Sequence, residues 1–122
     1  MSEFEVSVVK CASYDENEIK IALESVLSPI GGLDWVENGM VVAIKANLVT
    51  FAKPEEAVTT HPALICELIK MLREKGAKVI VGDSPGGLYT LSHLERVYAA
   101  AGLAEAEKAG AVLNRDISQT AV

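Results

Sequence analysis

What this sequence lacks narrows its chemistry before any motif is read. Its 122 residues hold two cysteines, Cys11 and Cys66, and no Cys-x-x-Cys pair. Thiolates at that count and spacing build neither a zinc site nor an iron–sulfur cluster. The plain reading is two free thiols in a reducing compartment. Aromatic residues are 5% of the chain, too few for the stacking platforms that hold single-stranded nucleic acid. Positive charge is scarce as well: 11 Lys and Arg stand against 17 Asp and Glu, for a net charge of −6. Nucleic acid and anionic membranes call for the opposite balance, so neither is expected as a partner. No apolar run approaches the ~20 residues of a membrane helix, and Met-Ser-Glu-Phe-Glu has no signal-peptide character. A cytoplasmic location is the default expectation.

What is present is a chain that is 50% hydrophobic, with Val, Ile, Leu and Ala dominant. Three short runs read as strands: Glu5–Lys10, Met40–Ile44 and Lys78–Gly82. A fourth starts at Ala111–Leu113. Between them lie helical patterns. Asp15 is a helix N-cap, with Glu18 at capping-box spacing. Ile19, Ala22, Leu23, Val26 and Leu27 then follow at helical intervals, up to Pro29 and Gly31-Gly32. Pro62 suits a first helical turn, and Leu64, Ile65, Leu68, Ile69 and Leu72 share one face as far as Lys75-Gly76. Leu91–Ala101 and Ala104–Ala109 are the last two helices. Trp35 reads as a packing anchor in a connector. The alternation predicts one α/β domain over residues 1–122: a three-layer, mostly parallel, Rossmann-like sheet with helices on both faces. A fourth strand without a covering helix reads as a fragment of a longer protein, lacking a C-terminal domain.

In such a sheet the loops after the strands gather at one edge, where ligands bind. Three polar sets follow strands here. Lys45 can meet a phosphate or carboxylate as a point charge, with Asn47 adding a directional donor and acceptor. Thr59 and Thr60 can cap the next helix or contact a ligand. His61 beside them is a candidate general acid–base or metal ligand. Asp83 can coordinate a divalent metal, take part in proton transfer, or simply bond a turn. Ser84, Gly86 and Gly87 offer backbone donors to an anion. Val79-Ile80-Val81-Gly82-Asp83-Ser84-Pro85-Gly86-Gly87 is therefore the stretch around which a site is expected. It matches neither G-x-G-x-x-G nor the P-loop pattern, so nucleotide binding has no motif behind it.

Taken in order, five stretches resemble the N-terminal part of the domain of unknown function family 362. They are Val8–Asp15, Gly31-Gly32, Ile44-Lys45-Ala46-Asn47-Leu48-Val49, Thr59-Thr60-His61-Pro62 and Gly82–Gly87. Ala46 departs from a lysine–proline–asparagine pattern. The resemblance implies a longer protein, often fused to a ferredoxin-like segment whose cysteines hold 4Fe–4S clusters. That segment is not in this chain, so no cluster is assigned to it. Two functions follow. One is the ligand-binding half of a metabolic enzyme for a small anionic metabolite: Lys45, Asn47, Thr59, Thr60, Ser84, Gly86 and Gly87 hold the anion, and His61 and Asp83 move a proton or hold a divalent metal. The other is a non-catalytic scaffold that docks an iron–sulfur redox module. Self-association into a homo-oligomer is compatible with either.

Overall fold

The structure is a computed structural model that describes residues 5–118. Helix α1 spans Glu16–Leu27. Asp15 caps it, its carboxylate accepting the N–H groups of Asn17 and Glu18 at 3.0 and 3.2 Å. Ser13 replaces half of the expected capping box. Its oxygen accepts the Asp15 N–H at 3.0 Å, and its hydroxyl donates to Glu18 at 2.5 Å. A 3-10 turn over Ser28–Ile30 follows, and Gly31 and Gly32 end the segment with φ of 97° and 60°.

Strand β1 is Val41–Lys45, β2 is Lys78–Gly82 and β3 is Val112–Leu113. They pair in parallel in the order β1-β2-β3, with Ile44 opposite Val81 and Val81 opposite Leu113. Helix α2 (Pro62–Glu74) returns the chain from β1 to β2. Helices α3 (Leu91–Ala100) and α4 (Ala104–Lys108) join β2 to β3. The parallel α/β fold expected from the alternation is therefore present.

The strands alternate in burial as period-2 geometry requires. Val79, Val81 and Leu113 are buried, with Val42 and Ile44 packed beside them, against Ile65, Ile69 and Leu72 of α2 and Leu103 and Ala106 by α4. The opposite face carries Val41 and Val112, 62% and 63% exposed. Among the described residues, the second helical layer expected from the alternation does not cover this face. Helix α1 packs on α2. Helix α3 reaches over the ends of the strands instead: the Tyr98 hydroxyl donates to the carbonyl of Asn114, just past β3, at 2.5 Å.

Two local expectations also change. Glu5–Lys10 is not a strand. Its β-branched residues favour the extended form, but a strand also needs a partner, and Val6 and Val8 stand exposed. Trp35 is 58% exposed and is no packing anchor.

Candidate functional site

The exits of β1 and β2 are stitched together. The Ala46 N–H donates to the Gly82 carbonyl at 3.1 Å, and the Gly86 N–H to the Val49 carbonyl at 3.0 Å. Proline at position 46 would forfeit the first of these bonds, which gives the alanine a local role. Asp83 is the central fastener. Its Oδ2 accepts the Leu48 N–H at 2.6 Å, and its Oδ1 lies 3.3 Å from the Lys45 ammonium. The Lys45 ammonium also donates to the Asn47 side-chain oxygen. Asn47 has φ of 51°, a left-handed conformation that asparagine tolerates better than most residues.

Burial divides the roles within this cluster. The Asp83 side chain is 9% exposed and both its oxygens have partners, whereas the Lys45 side chain is 69% exposed. The carboxylate is committed to holding two loops, while the Lys45 side chain stays largely exposed. Ser84 is exposed beside it, while the Gly86 N–H is already used by Val49. His93, on the first turn of α3, secures the glycine loop. Its Nε2 lies 3.0 Å from the Gly86 carbonyl, so that nitrogen carries the proton and donates. A Cβ at Gly87, where φ is 102°, would sit 3.1 Å from the same nitrogen. His93 had no signal beyond its place three residues after the capping Thr90.

The Thr59-Thr60-His61 set sits differently. His61, not a threonine, caps α2: its Nδ1 accepts the Ala63 N–H at 3.1 Å. Thr59 is buried, and among the described residues its hydroxyl has no hydrogen-bond partner. The His61 ring stacks on Tyr14, centroids 3.7 Å apart and planes 11° from parallel. Both line a cleft of about 530 Å³ with Cys66, Glu67, Lys70 and Lys108. That cleft includes none of Lys45, Asn47, Asp83 and Ser84. The structure thus brings Lys45, Asn47 and Asp83 into contact and gives His61 a separate setting. Among the described residues no group of three or more His, Cys, Asp and Glu side chains is placed to share a metal ion. Cys11 and Cys66 are free, and burial, followed by the nearby Glu105, pushes the Cys66 thiol up.

A parallel α/β domain whose strand exits carry an exposed lysine, held by a buried aspartate and an asparagine, is the class that fold and loops define. The family described as a domain of unknown function (DUF362) matches residues 42–120, and the chain belongs to that family. The thylakoid-associated protein sll1697 of Synechocystis sp. (strain ATCC 27184 / PCC 6803 / Kazusa) is 32% identical over 81 residues, 66% of this chain and 25% of that relative. The aligned part is thus about a quarter of the relative's length. No solved structure matches. Among the described residues no helix is long and apolar enough to cross a membrane.

Proposed function

We propose that the domain supplies one half of a binding site for a small anionic metabolite, within a metabolic enzyme whose other half lies outside the described residues. Lys45 is the anion's counter-charge, with Asn47 and the Ser84 hydroxyl beside it. The observation that carries this reading is the setting of Lys45. Its ammonium is positioned by Asp83 and Asn47 on a side chain that is largely exposed. The loops around it carry exposed Val49, Phe51, Leu88 and Tyr89, an apolar surround fit for a covering part. The proton-transfer or metal role of His61 with Asp83 draws no support from the separate cleft in which His61 lies.

The test is a thermal-shift series with inorganic phosphate and with small mono- and dicarboxylates, on the wild type and Lys45→Ala. A ligand that binds only the folded state raises stability with the logarithm of its concentration over its affinity. The expected result is a rise with at least one anion that Lys45→Ala abolishes. An equal rise in the variant would remove Lys45 from the site. No rise with any anion would favour the second reading, a scaffold that docks a redox module. The same exposed loop residues support that reading, and Phe51→Ser with Leu88→Ser would then weaken docking.

A further inference from the structure

We propose that His61 is a pH-sensitive latch, holding α1 and the residues before it against α2 when neutral and releasing them when protonated. The inference is independent of the anion site. It starts from a lone pair. Nδ1 of His61 accepts the Ala63 N–H at 3.1 Å, so that nitrogen bears no hydrogen and Nε2 carries the proton. Imidazolium has a hydrogen on both nitrogens. The Nδ1–H would then face the Ala63 N–H, donor against donor, and a positive charge would sit at the positive end of the helix dipole. The protonated ring must turn out of its capping position.

Turning the ring removes the surface on which Tyr14 rests, now parallel within 11° at a centroid distance of 3.7 Å. Tyr14 immediately precedes the Asp15 cap of α1, so the stack is the first point at which that element is fastened to α2. Helix α1 is also held along its apolar face, where Ala22, Leu23, Val26 and Leu27 are half-buried and Leu64 of α2 lies close to Leu23 and Val26. Lys70 of α2 donates to Glu16 at 2.6 Å and to Glu67 at 3.4 Å. Ile19 is the one buried residue of α1.

The charged groups around the ring are paired with one another and none of them bonds it. From the α1 side come Tyr14 and Glu16; from α2, Cys66, Glu67 and Lys70; from α4, Glu105 and Lys108. Glu16 and Glu67 are engaged by Lys70, and Glu105 is engaged by Lys108 at 2.8 Å. Protonation leaves all three pairs formed and strikes at the cap and the stack directly. The latch therefore holds while the ring is neutral and loosens once both ring nitrogens carry hydrogen.

The chain has two histidines, His61 and His93, which makes the test clean. Amide hydrogen-exchange protection factors are measured for α1 at about pH 7.5 and about pH 5.5, the span over which histidine side chains change charge, in the wild type, His61→Asn and His93→Gln. Asparagine caps a helix without titrating in this range. The wild type and His93→Gln should lose protection in α1 by about five- to tenfold at the lower pH, the worth of one cap, while β2 keeps its own. His61→Asn should show no such loss. Equal wild-type protection at both pH values would overturn the latch, as would a loss that persists in His61→Asn or disappears in His93→Gln. Should His61→Asn not fold, the ¹⁵N shifts of the wild-type ring decide. A protonated Nδ1 at pH 7.5 would refute the capping geometry on which the latch rests.

Discussion

At the scale of single residues the polar contacts divide into satisfied and unsatisfied groups, and stability should follow that division. Asp83 serves two loops from a position 9% exposed. Asp83→Ala leaves the Leu48 N–H without its acceptor and Lys45 without its counter-charge. A hydrogen bond to a charged group contributes about 1.5–3 kcal/mol, so urea denaturation should show a loss of about 2 kcal/mol. Thr59 is the opposite case, a buried hydroxyl with no partner among the described residues. Thr59→Val keeps the shape and removes the unmet polar atom, so the same measurement should show a gain of about 1 kcal/mol. A loss of similar size would mean that the hydroxyl is bonded after all. Cys66 should alkylate more slowly than exposed Cys11 at pH 8, because burial holds its thiol protonated to higher pH and the thiolate is the reactive form (~8.5 for an unperturbed thiol). Mass spectrometry of a partly alkylated sample reads the order directly.

At the scale of elements, legibility tracked how local the determinants are. Strand β2 was readable to the residue, because Val79-Ile80-Val81 is bounded by Lys75-Gly76 on one side and a glycine loop on the other. Asp15 was readable as a cap because its partners lie two and three residues on. Glu5–Lys10 was not, since pairing depends on a distant edge that the segment's own composition cannot report. The cap of α2 was misplaced by two positions at most. Threonine is the commoner N-cap, but the residue that occupies the cap here is His61, which also gains a ring contact with Tyr14. The three polar loops were identified; which of them touch was not, because the Lys45–Asp83 contact is fixed by strand register and the His61 cleft by helix packing. The α2–β2 turn offers a prediction at this scale. Gly76 has φ of 87°, and a Cβ there would lie 2.1 Å from the side-chain oxygen of Asn38. Gly76→Ala should cost about 1–2 kcal/mol for the left-handed backbone plus displacement of Asn38. Asn38→Ala in the same chain should recover only the second part, as chemical denaturation of the double variant would show.

At the scale of the whole molecule the open face of the sheet is the feature that most needs accounting for. Parallel sheets are found almost only with both faces covered, because an uncovered apolar face forgoes the burial that stabilises the strands. Here Ala43, Ile80 and Val112 stand in one cross-strand row, since Ala43 pairs with Ile80 and Ile80 with Val112. Val41 lies on the same face, two residues from Ala43, and both Val41 and Val112 are largely exposed. The alternation of strands and helices predicts two covered faces; among the described residues only one is covered, with Val41 and Val112 left on the other. The relative's length, with the aligned part a quarter of it, fits a sheet face that other chain segments cover in a longer protein. Among the described residues this face has no cover, so copies of the chain should use it on each other. Sedimentation velocity is expected to show reversible association that grows with protein concentration. Val41→Lys with Val112→Lys should suppress it by setting like charges face to face, and should leave the melting temperature nearly unchanged because neither side chain is buried. A chain that stays monomeric at every concentration would reject association through this face. So would a double variant that associates as strongly as the wild type, since the contact would then have to lie elsewhere, with the exposed loop residues Phe51 and Leu88 the next to change.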